Sequence, residues 1–481
     1  MNKIKEKFSK VLSKNSFIRS VSVLVGGTAT SQVISILASP FLTRLYSTED
    51  FGLLAVYGSI IGIVGVIASL RYELAIPIAE TDKEAASLVY LSGIILIAVS
   101  ITTGIVFYAF SSQLLGVLKA SALKPFLWLL PLSVFFMGLY NILNYWAIRT
   151  KQFGVIAKTK FAQSFSSVAV QLSAFKLGAI SLLFGQLMGQ TAGNTTLFTS
   201  AVKPHKETFK EVKKGDIVHS AKRWKKFPLF STWDGLFNAA SSQLPPLLFA
   251  TFFSPAAAGV YMLAHRVLNM PMVLIGNAVS NVFFSKSAEA HRNNNLAPLV
   301  AGIHEKLAYI AMPPLMILMF TGPKLFSFIF GENWVQAGEF AQWMVPWLYL
   351  VFITSPLSQL FSVLEKQKQG MCFNIVLLAV RVTSLFVAAY FKNLILAVAL
   401  FSLGGAICWV GFLLWIAYAS GNTIKMILKP TTLSLLVSLF ISLPVIIQSY
   451  LFDSNYSLII ALSLSTLLIC LRYISIFKRI S

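Results

Sequence analysis

Residues 51–78 read FGLLAVYGSIIGIVGVIASLRYELAIPI: twenty uncharged, mostly apolar residues, then Arg71 and Glu73 close together. A helix needs about 20 predominantly apolar residues to cross the hydrocarbon core of a bilayer, and this stretch supplies them. Arg71 and Glu73 stand two positions apart, so on a continuous helix they point to different sides and form no simple intrahelical pair. Outward from this stretch the same pattern recurs, an apolar run closed by a few charges. About 14 such spans are expected, from 18–43 and 51–78 at one end to 427–452 and 456–475 at the other.

The composition agrees. Of 481 residues, 56% are hydrophobic and 12% charged, and the mean hydropathy is +0.75. A soluble domain of that size would need far more charged surface, so an all-α polytopic membrane protein is expected. The net charge of +22 raises the question of nucleic acid. Its distribution argues for no nucleic-acid partner, because Lys and Arg sit in short loops and tails between apolar runs. If the N-terminus is cytoplasmic, the inside segments hold Lys83, Arg149 with Lys151, the 203–226 stretch, Lys366 with Lys368, and Lys425 with Lys429. The opposite loops hold only scattered cations, among them Arg44, Lys119, Lys176 and Lys392. The bias of cations towards the cytoplasm predicts an inner-membrane protein with both termini inside. A Lys-rich lead over 1–16, followed by a span too long for a cleaved leader, predicts a retained signal anchor.

Enzyme chemistry is not expected. Cys372, Cys408 and Cys470 lie in apolar runs without metal-ligand spacing, and read as small buried hydrophobes. The five histidines are scattered, with only His265 deep in a span, where packing is the expected role. Neither a cofactor nor a metal site is expected, and no catalytic constellation stands out.

Residues 203–226 form the one long polar stretch, with nine Lys or Arg, and divide the chain. The expected organisation is an N-lobe over 1–202 with spans 1–6, a basic cytoplasmic linker over 203–226, a C-lobe over 227–419 with spans 7–12, and two additional spans over 420–481. The linker reads as a topogenic element, with attraction to anionic lipid head groups as an added role. An internal echo supports duplication: Ser47 and Gly52 recur in spacing as Ser254 and Gly259, each pair at a short turn opening the next helix. With an even number of spans between them, the repeats would be parallel, giving two pseudo-symmetric six-helix lobes.

Several of these residues carry a resemblance. The stretch Leu42-Thr43-Arg44-Leu45-Tyr46-Ser47-Thr48-Glu49-Asp50-Phe51-Gly52, followed by Ser69-Leu70-Arg71-Tyr72-Glu73-Leu74-Ala75-Ile76-Pro77, resembles the opening of polysaccharide transporters. Lys226-Phe227-Pro228, Asn238-Ala239-Ala240-Ser241-Ser242-Gln243-Leu244-Pro245 and Gly259-Val260-Tyr261 are similar to the same family. These are the O-antigen and capsule repeat-unit flippases of the MOP superfamily, which also holds MATE drug exporters and lipid II flippases. The resemblance implies a two-lobed bundle with a central cavity that opens alternately to either side. It implies an undecaprenyl-pyrophosphate-linked oligosaccharide as cargo, moved from the cytoplasmic to the periplasmic leaflet in lipopolysaccharide and polysaccharide biosynthesis. Membrane lipids and other polysaccharide-assembly membrane proteins are the implied partners.

Such a cargo needs a wet, cationic cavity, since hydrocarbon cannot solvate its head group. By helical rise Arg266 lies roughly 15 Å into span eight, and Arg381 is a little deeper in span eleven. Each either binds pyrophosphate with its planar fork or serves as interhelical glue. Arg71 is the third candidate, facing the cavity or snorkelling to the interface. Gln186, Gln190 and Asn194 share one face of span six beside Gly185, Gly189 and Gly193. The glycines permit close helix approach, while the amides line a sugar-binding wall or bond to a neighbour. Asp234 and Glu73 are the candidates for proton or sodium coupling, with a structural salt bridge as the alternative for Asp234. Pro245-Pro246 and Pro271 are candidate hinges. Two other functions remain: a MATE-like exporter of drugs or cations, disfavoured by the excess of deep arginine, and a glycan polymerase or ligase, disfavoured because the longest loop is basic and inside.

Overall fold

The computed structural model describes residues 16–451 and 454–480. Residues 1–15, the charged part of the expected signal anchor, lie outside them. All regular structure among the described residues is helical. Fifteen of the segments are named here with the two linker helices: α1 (Ser16–Leu45), α2 (Thr48–Ile67), α3 (Asp82–Ala109), α4 (Leu129–Arg149), α5 (Phe153–Ser173) and α6 (Ala179–Leu197) come first. The short α7 (Lys206–Lys210) and α8 (Lys214–Arg223) fill the basic stretch. Then follow α9 (Thr232–Phe252), α10 (Pro255–Pro271), α11 (Asn277–Arg292), α12 (Leu296–Phe330), α13 (Val335–Thr354), α14 (Gln367–Tyr390), α15 (Leu394–Ser420), α16 (Ile424–Leu451) and α17 (Asn455–Ile480).

Local chemistry sets several of the helix ends. Ser47 caps α2 in a reciprocal box, its hydroxyl accepting from the Asp50 N–H at 3.1 Å while its own N–H donates to the Asp50 carboxylate at 2.9 Å. Thr81 caps α3 through the Glu84 N–H, and Asn393 caps α15 through the Leu396 N–H. Gly421 closes α15 in the left-handed conformation that a glycine adopts without a Cβ clash.

Ten helical stretches are long and apolar enough to cross a membrane. Four more, α1, α5, α6 and α9, are 19 to 30 residues long but more polar, and they fall where spans one, five, six and seven were expected. They are more polar because they carry Ser, Thr, Asn and Gln, some of which bond to other helices, as Ser31 does to Ser164 and Gln163 to Gln190.

The chain divides into two compact units with the boundary after Gly259. In the first, Ala68, Leu88, Leu96, Val134, Trp146 and Leu197 belong to one buried core. The Gly185/Gly189/Gly193 stripe of α6 lies on α5, and a Cβ at Gly189 would stand 2.7 Å from the Gln163 carbonyl oxygen. Those glycines therefore serve close packing, as small-residue stripes do between membrane helices. In the second unit, Phe361 stacks on Trp415 at 4.3 Å, in a cluster with Phe283, Leu296, Val300 and Phe412. The last two helices are tied in by polar clasps: His304 to the Ile427 carbonyl of α16 at 2.9 Å, and the Tyr473 hydroxyl of α17 to the Ile310 carbonyl at 2.6 Å.

Two expectations need correction. Cys372 and Cys470 are exposed, not buried, because a helix that is apolar all round does not reveal which flank its neighbours cover. Pro245 and Pro246 do not break α9, which runs through both. Pro271 instead leads into a π-helical turn over Met272–Gly276 before α11 resumes, the usual way a freed backbone is absorbed inside a long helix.

Candidate functional site

Helices α2 and α9 run antiparallel, and glycines set their separation along the whole length. A Cβ at Gly62 would lie 2.8 Å from the Gln243 side-chain nitrogen, and one at Gly235 would lie 2.3 Å from the Arg71 guanidinium. At the end away from the linker the contact is backbone to backbone. A Cβ at Gly52 would lie 1.8 Å from the Pro255 carbonyl oxygen, and one at Gly259 would lie 2.1 Å from the Thr48 carbonyl oxygen.

The repeated Ser…Gly spacing is thus one structure used twice. Ser254 accepts from the Ala257 N–H at 3.2 Å, as Ser47 accepts from Asp50. Each serine caps a helix, and each glycine five residues on lets the other helix start approach.

At the linker end the geometry is strained and charged. Leu70 and Arg71 adopt φ of 49° and 63°, a left-handed conformation rare for residues with a side chain. Each costs roughly 1–2 kcal/mol, so the surrounding structure must hold them. The segment that follows them is anchored by Arg149 of α4, whose guanidinium donates to the Ile76 and Ala79 carbonyls at 3.1 and 2.7 Å and pairs with Asp82 at 2.8 Å. The reversal stops α2 and brings Arg71 to 4.0 Å from the Glu73 carboxylate. Two residues that a continuous helix would separate therefore meet. Glu73 is 3% exposed and accepts from the Ser69 hydroxyl. The Arg71 side chain lies against Gly235, keeps 26% of its surface open, and has a buried Nε with no hydrogen-bond partner.

The basic linker is folded against this end. Arg223 pairs with Glu80 and with Glu84 at 3.1 Å, and the Trp224 indole donates to Glu84 at 2.9 Å. Lys83 pairs with Asp216 at 2.9 Å, and the Tyr72 hydroxyl donates to the Ala221 carbonyl at 3.1 Å. Phe209 packs its ring 4.8 Å from Trp146. The Lys213 N–H first, and then Lys83, hold the Asp216 carboxyl below its ordinary pKa, while Glu80 raises the Arg223 guanidinium above its own. Sequence reading treated this stretch as a charged loop and missed the docking. The signal was present as Phe209, Val212 and Trp224 set among lysines, facing the acidic run Glu80, Asp82, Glu84.

Other candidates fall apart into distinct roles. Asn194 is 4% exposed and donates to the Phe136 carbonyl at 2.8 Å, and Gln190 accepts from Gln163 at 3.0 Å. Both bond to neighbouring helices, the second of the two roles expected for them. Gln186 is half-buried on the same helix. Asp234 is exposed in the first turn of α9, next to Gly235. In the second unit the Arg381 guanidinium lies 5.0 Å over Trp347 and 5.3 Å over Phe401, a cation–π arrangement. His265 stacks between Tyr261 at 5.6 Å and Trp347 at 5.9 Å, a packed histidine as expected. Arg266 is half-buried mid-way along α10. The aromatic bed under Arg381 comes from α13 and α15, which no local motif links to it.

Residues 41–339 match the family model described as polysaccharide biosynthesis protein. The teichuronic acid biosynthesis protein TuaB of Bacillus subtilis (strain 168) is 25% identical over 112 residues, a match spanning 23% of this chain and 23% of that protein. The lipid II flippase MurJ, in an inward closed conformation, is similar with a TM-score of 0.74 and 15% identity, over 95% of this chain and 98% of its own. An inward-facing multidrug resistance MATE family transporter of the MOP superfamily gives a TM-score of 0.65 and 14% identity, over 81% of this chain and 94% of its own. A MOP superfamily transporter from Pyrococcus furiosus gives 0.54 at 14% identity, over 85% of this chain and 96% of its own. At such identities the solved structures speak for the fold alone. The family match covers well over half of the chain, which therefore belongs to the polysaccharide biosynthesis protein family and is built on the MOP-superfamily fold.

Proposed function

We propose that this protein is a flippase that carries undecaprenyl-pyrophosphate-linked oligosaccharide repeat units from the cytoplasmic to the periplasmic leaflet. The observation that carries the proposal is Arg71: a guanidinium fixed over Gly235 beside a strained turn, with a buried Nε that has no hydrogen-bond partner among the described residues. A cation held this way in an apolar bundle suits a phosphate group, which accepts two parallel N–H donors from one guanidinium. Family membership and the fold agree with this reading.

In the mechanism we infer, the linker end faces the cytoplasm and the Gly52/Gly259 crossing closes the periplasmic side. The pyrophosphate is received at Arg71, and Arg266 and Arg381 are further candidates for contact with it. Lobes of six spans each, 1–202 and 227–419, move against one another, with 420–481 as accessory spans. Glu73 is the first candidate for ion coupling, since phosphate competes with it for Arg71. Asp234 is the second. Gln186 is the one amide of its stripe left to line the route.

Deleting the gene and profiling surface polysaccharide and carrier-linked glycans by leaflet tests the proposal. The expected result is loss of surface polymer, with single complete repeat units trapped on the cytoplasmic leaflet. In complementation, Arg71→Ala should lower surface polymer about tenfold or more, as expected for losing charge-assisted hydrogen bonds worth about 1.5–3 kcal/mol. Arg71→Lys should restore only part, lacking the fork. Unchanged glycans would move a drug exporter to first place, and single units arriving unpolymerised on the outer leaflet would make the protein an enzyme of assembly.

A further inference from the structure

Docking accounts for only part of the charge in the basic stretch 203–226. Arg223 pairs with Glu80 and Glu84, Lys210 pairs with Glu207, and Lys213 stands beside Asp216, to which its N–H donates. The other six of its nine cations are Lys203, Lys206, Lys214, Lys222, Lys225 and Lys226. All six are exposed, and none forms an ion pair among the described residues.

Helix α8 keeps the two sets of charges apart. On one side Ser220 is buried, Asp216 reaches Lys83, and Arg223 reaches the acidic residues before and in α3. On the other side Lys214, Val218 and Lys222 follow at four-residue intervals, all exposed. The helix therefore has an inward face already neutralised by the protein and an outward face that is not.

The neighbours of α7 fix the level at which these lysines stand. Phe209 lies 5.9 Å from the ring of Tyr90 and 4.8 Å from that of Trp146. Tyr90 is eight residues inside α3, about 12 Å along by helical rise, and Trp146 is three residues short of the end of α4. The stretch thus lies alongside the ends of two apolar spans, where Trp and Tyr mark the membrane–water boundary. Phe198 just before it and Leu229 just after it are exposed. Exposed apolar surface stops at one and resumes at the other, and the lysines fill the band between. A lysine at that level lays its stem on apolar surface and turns its ammonium to the head groups. A soluble polyanion would meet the charges, but Val218 and the flanking Phe198 and Leu229 suit a bilayer.

We propose that the outward face of 203–226 docks on anionic phospholipid head groups of the surrounding bilayer, an inference that holds whatever the protein carries. Lipid phosphates neutralise the six lysines from outside while Glu80 and Glu84 hold Arg223 from inside. The stretch then joins the membrane surface to the first turn of α3. Each lysine held near an anionic surface contributes about fivefold to such binding.

Amine footprinting of the full chain tests this, in nanodiscs of phosphatidylcholine alone or mixed equally with phosphatidylglycerol. With phosphatidylglycerol the six lysines should be acylated about threefold or more slowly. Lys124 and Lys176, exposed at the other ends of the spans, are the reference for any general effect of a negative surface, and should slow far less. Equal slowing at both ends, or none at the six lysines, overturns the proposal. So does equal protection in phosphatidylcholine discs by added inorganic phosphate, which would make the face a site for free anions. A second measurement compares spin-labelled phosphatidylglycerol with spin-labelled phosphatidylcholine at the protein boundary. Lys→Gln at all six positions should remove most of the preference for the anionic lipid, and Lys→Arg at the same positions should keep it, which separates lost charge from lost folding. A glutamine variant of unchanged helicity that keeps the full preference also overturns the proposal.

Discussion

The two ends of the α2–α9 pair are held by opposite means. At the Gly52 and Gly259 end, main chain meets main chain, and no side chain separates Thr48, Pro255 and the two glycines. At the Arg71 end the contact is made by a guanidinium over a glycine, a strained turn and ion pairs to a docked linker. Close packing of backbones is nearly all-or-none, since interiors resist even a methylene of change. Charge pairs in partly open surroundings are individually weak and exchange partners readily. One end is therefore held rigidly and the other by contacts that can loosen in stages.

The sharpest way to break this comparison is at the sealed end. Gly52→Val or Gly259→Val inserts carbons where backbone atoms stand, and such overpacking costs about 1–3 kcal/mol even where the neighbours can shift. Here the neighbours are main chain of another helix start, so surface polysaccharide in a complemented deletion strain should fall at least tenfold, with reduced protein in the membrane. Gly58→Ala is the matched control on the same helix: nothing lies within 4 Å of its added Cβ. It should behave as wild type. Equal damage from all three substitutions would show that α2 tolerates no side chain for reasons unrelated to the crossing.

The two matched helix starts were legible before the structure, because the Ser…Gly spacing occurs twice, but that they meet at their glycines was not. So were the spans, since twenty apolar residues announce themselves. Arg71 and Glu73 show the limit. The sequence placed them on opposite sides of a helix, and only the left-handed turn at Leu70 and Arg71 brings them together. Nothing local marks that turn, and the segment after it is anchored by Arg149 from another helix. The amides of α6 show the same gap in reverse. Their spacing correctly put them on one face, but whether that face met water or α5 and α4 depended on partners such as Gln163 and the Phe136 carbonyl, distant in sequence. The docked linker was missed because nine cations drew the eye from three aromatic and aliphatic residues among them.

A second test sharpens the comparison at the charged end. Arg223→Ala with Glu84→Ala removes the pairs of Arg223 with Glu80 and Glu84 and takes the acceptor from the Trp224 indole, leaving the Lys83–Asp216 pair in place. The linker should then open locally without unfolding the spans, and trypsin should cut after Lys222, Lys225 or Lys226 several-fold faster, as segments of low local stability do. Transport should fall by a smaller factor than at the glycines. Unchanged cleavage would mean that the Lys83–Asp216 pair, the Tyr72 hydrogen bond and the apolar contacts of Phe209 and Val212 are enough to hold the linker.

The smallest effect belongs to Asp216, and its sign follows from its partners. The Lys213 N–H and then Lys83 favour the ionised carboxylate, so its pKa in the docked linker lies below the unfolded value of about 3.9. Such a group adds stability that is fully present above the unfolded value and disappears as pH falls through the folded one. Docking of α8 should therefore be insensitive to pH between about 5 and 8 and loosen only below about 4, read as amide hydrogen exchange over 214–223 corrected for intrinsic rates. Lys83→Met should reduce this acid sensitivity without removing it, because the backbone N–H remains and is the larger influence. Loss of all acid sensitivity in Lys83→Met would make the lysine the main partner. A rise in exchange on the alkaline side instead would mean that a lysine, and not the carboxylate, controls whether the linker end of the molecule stays closed.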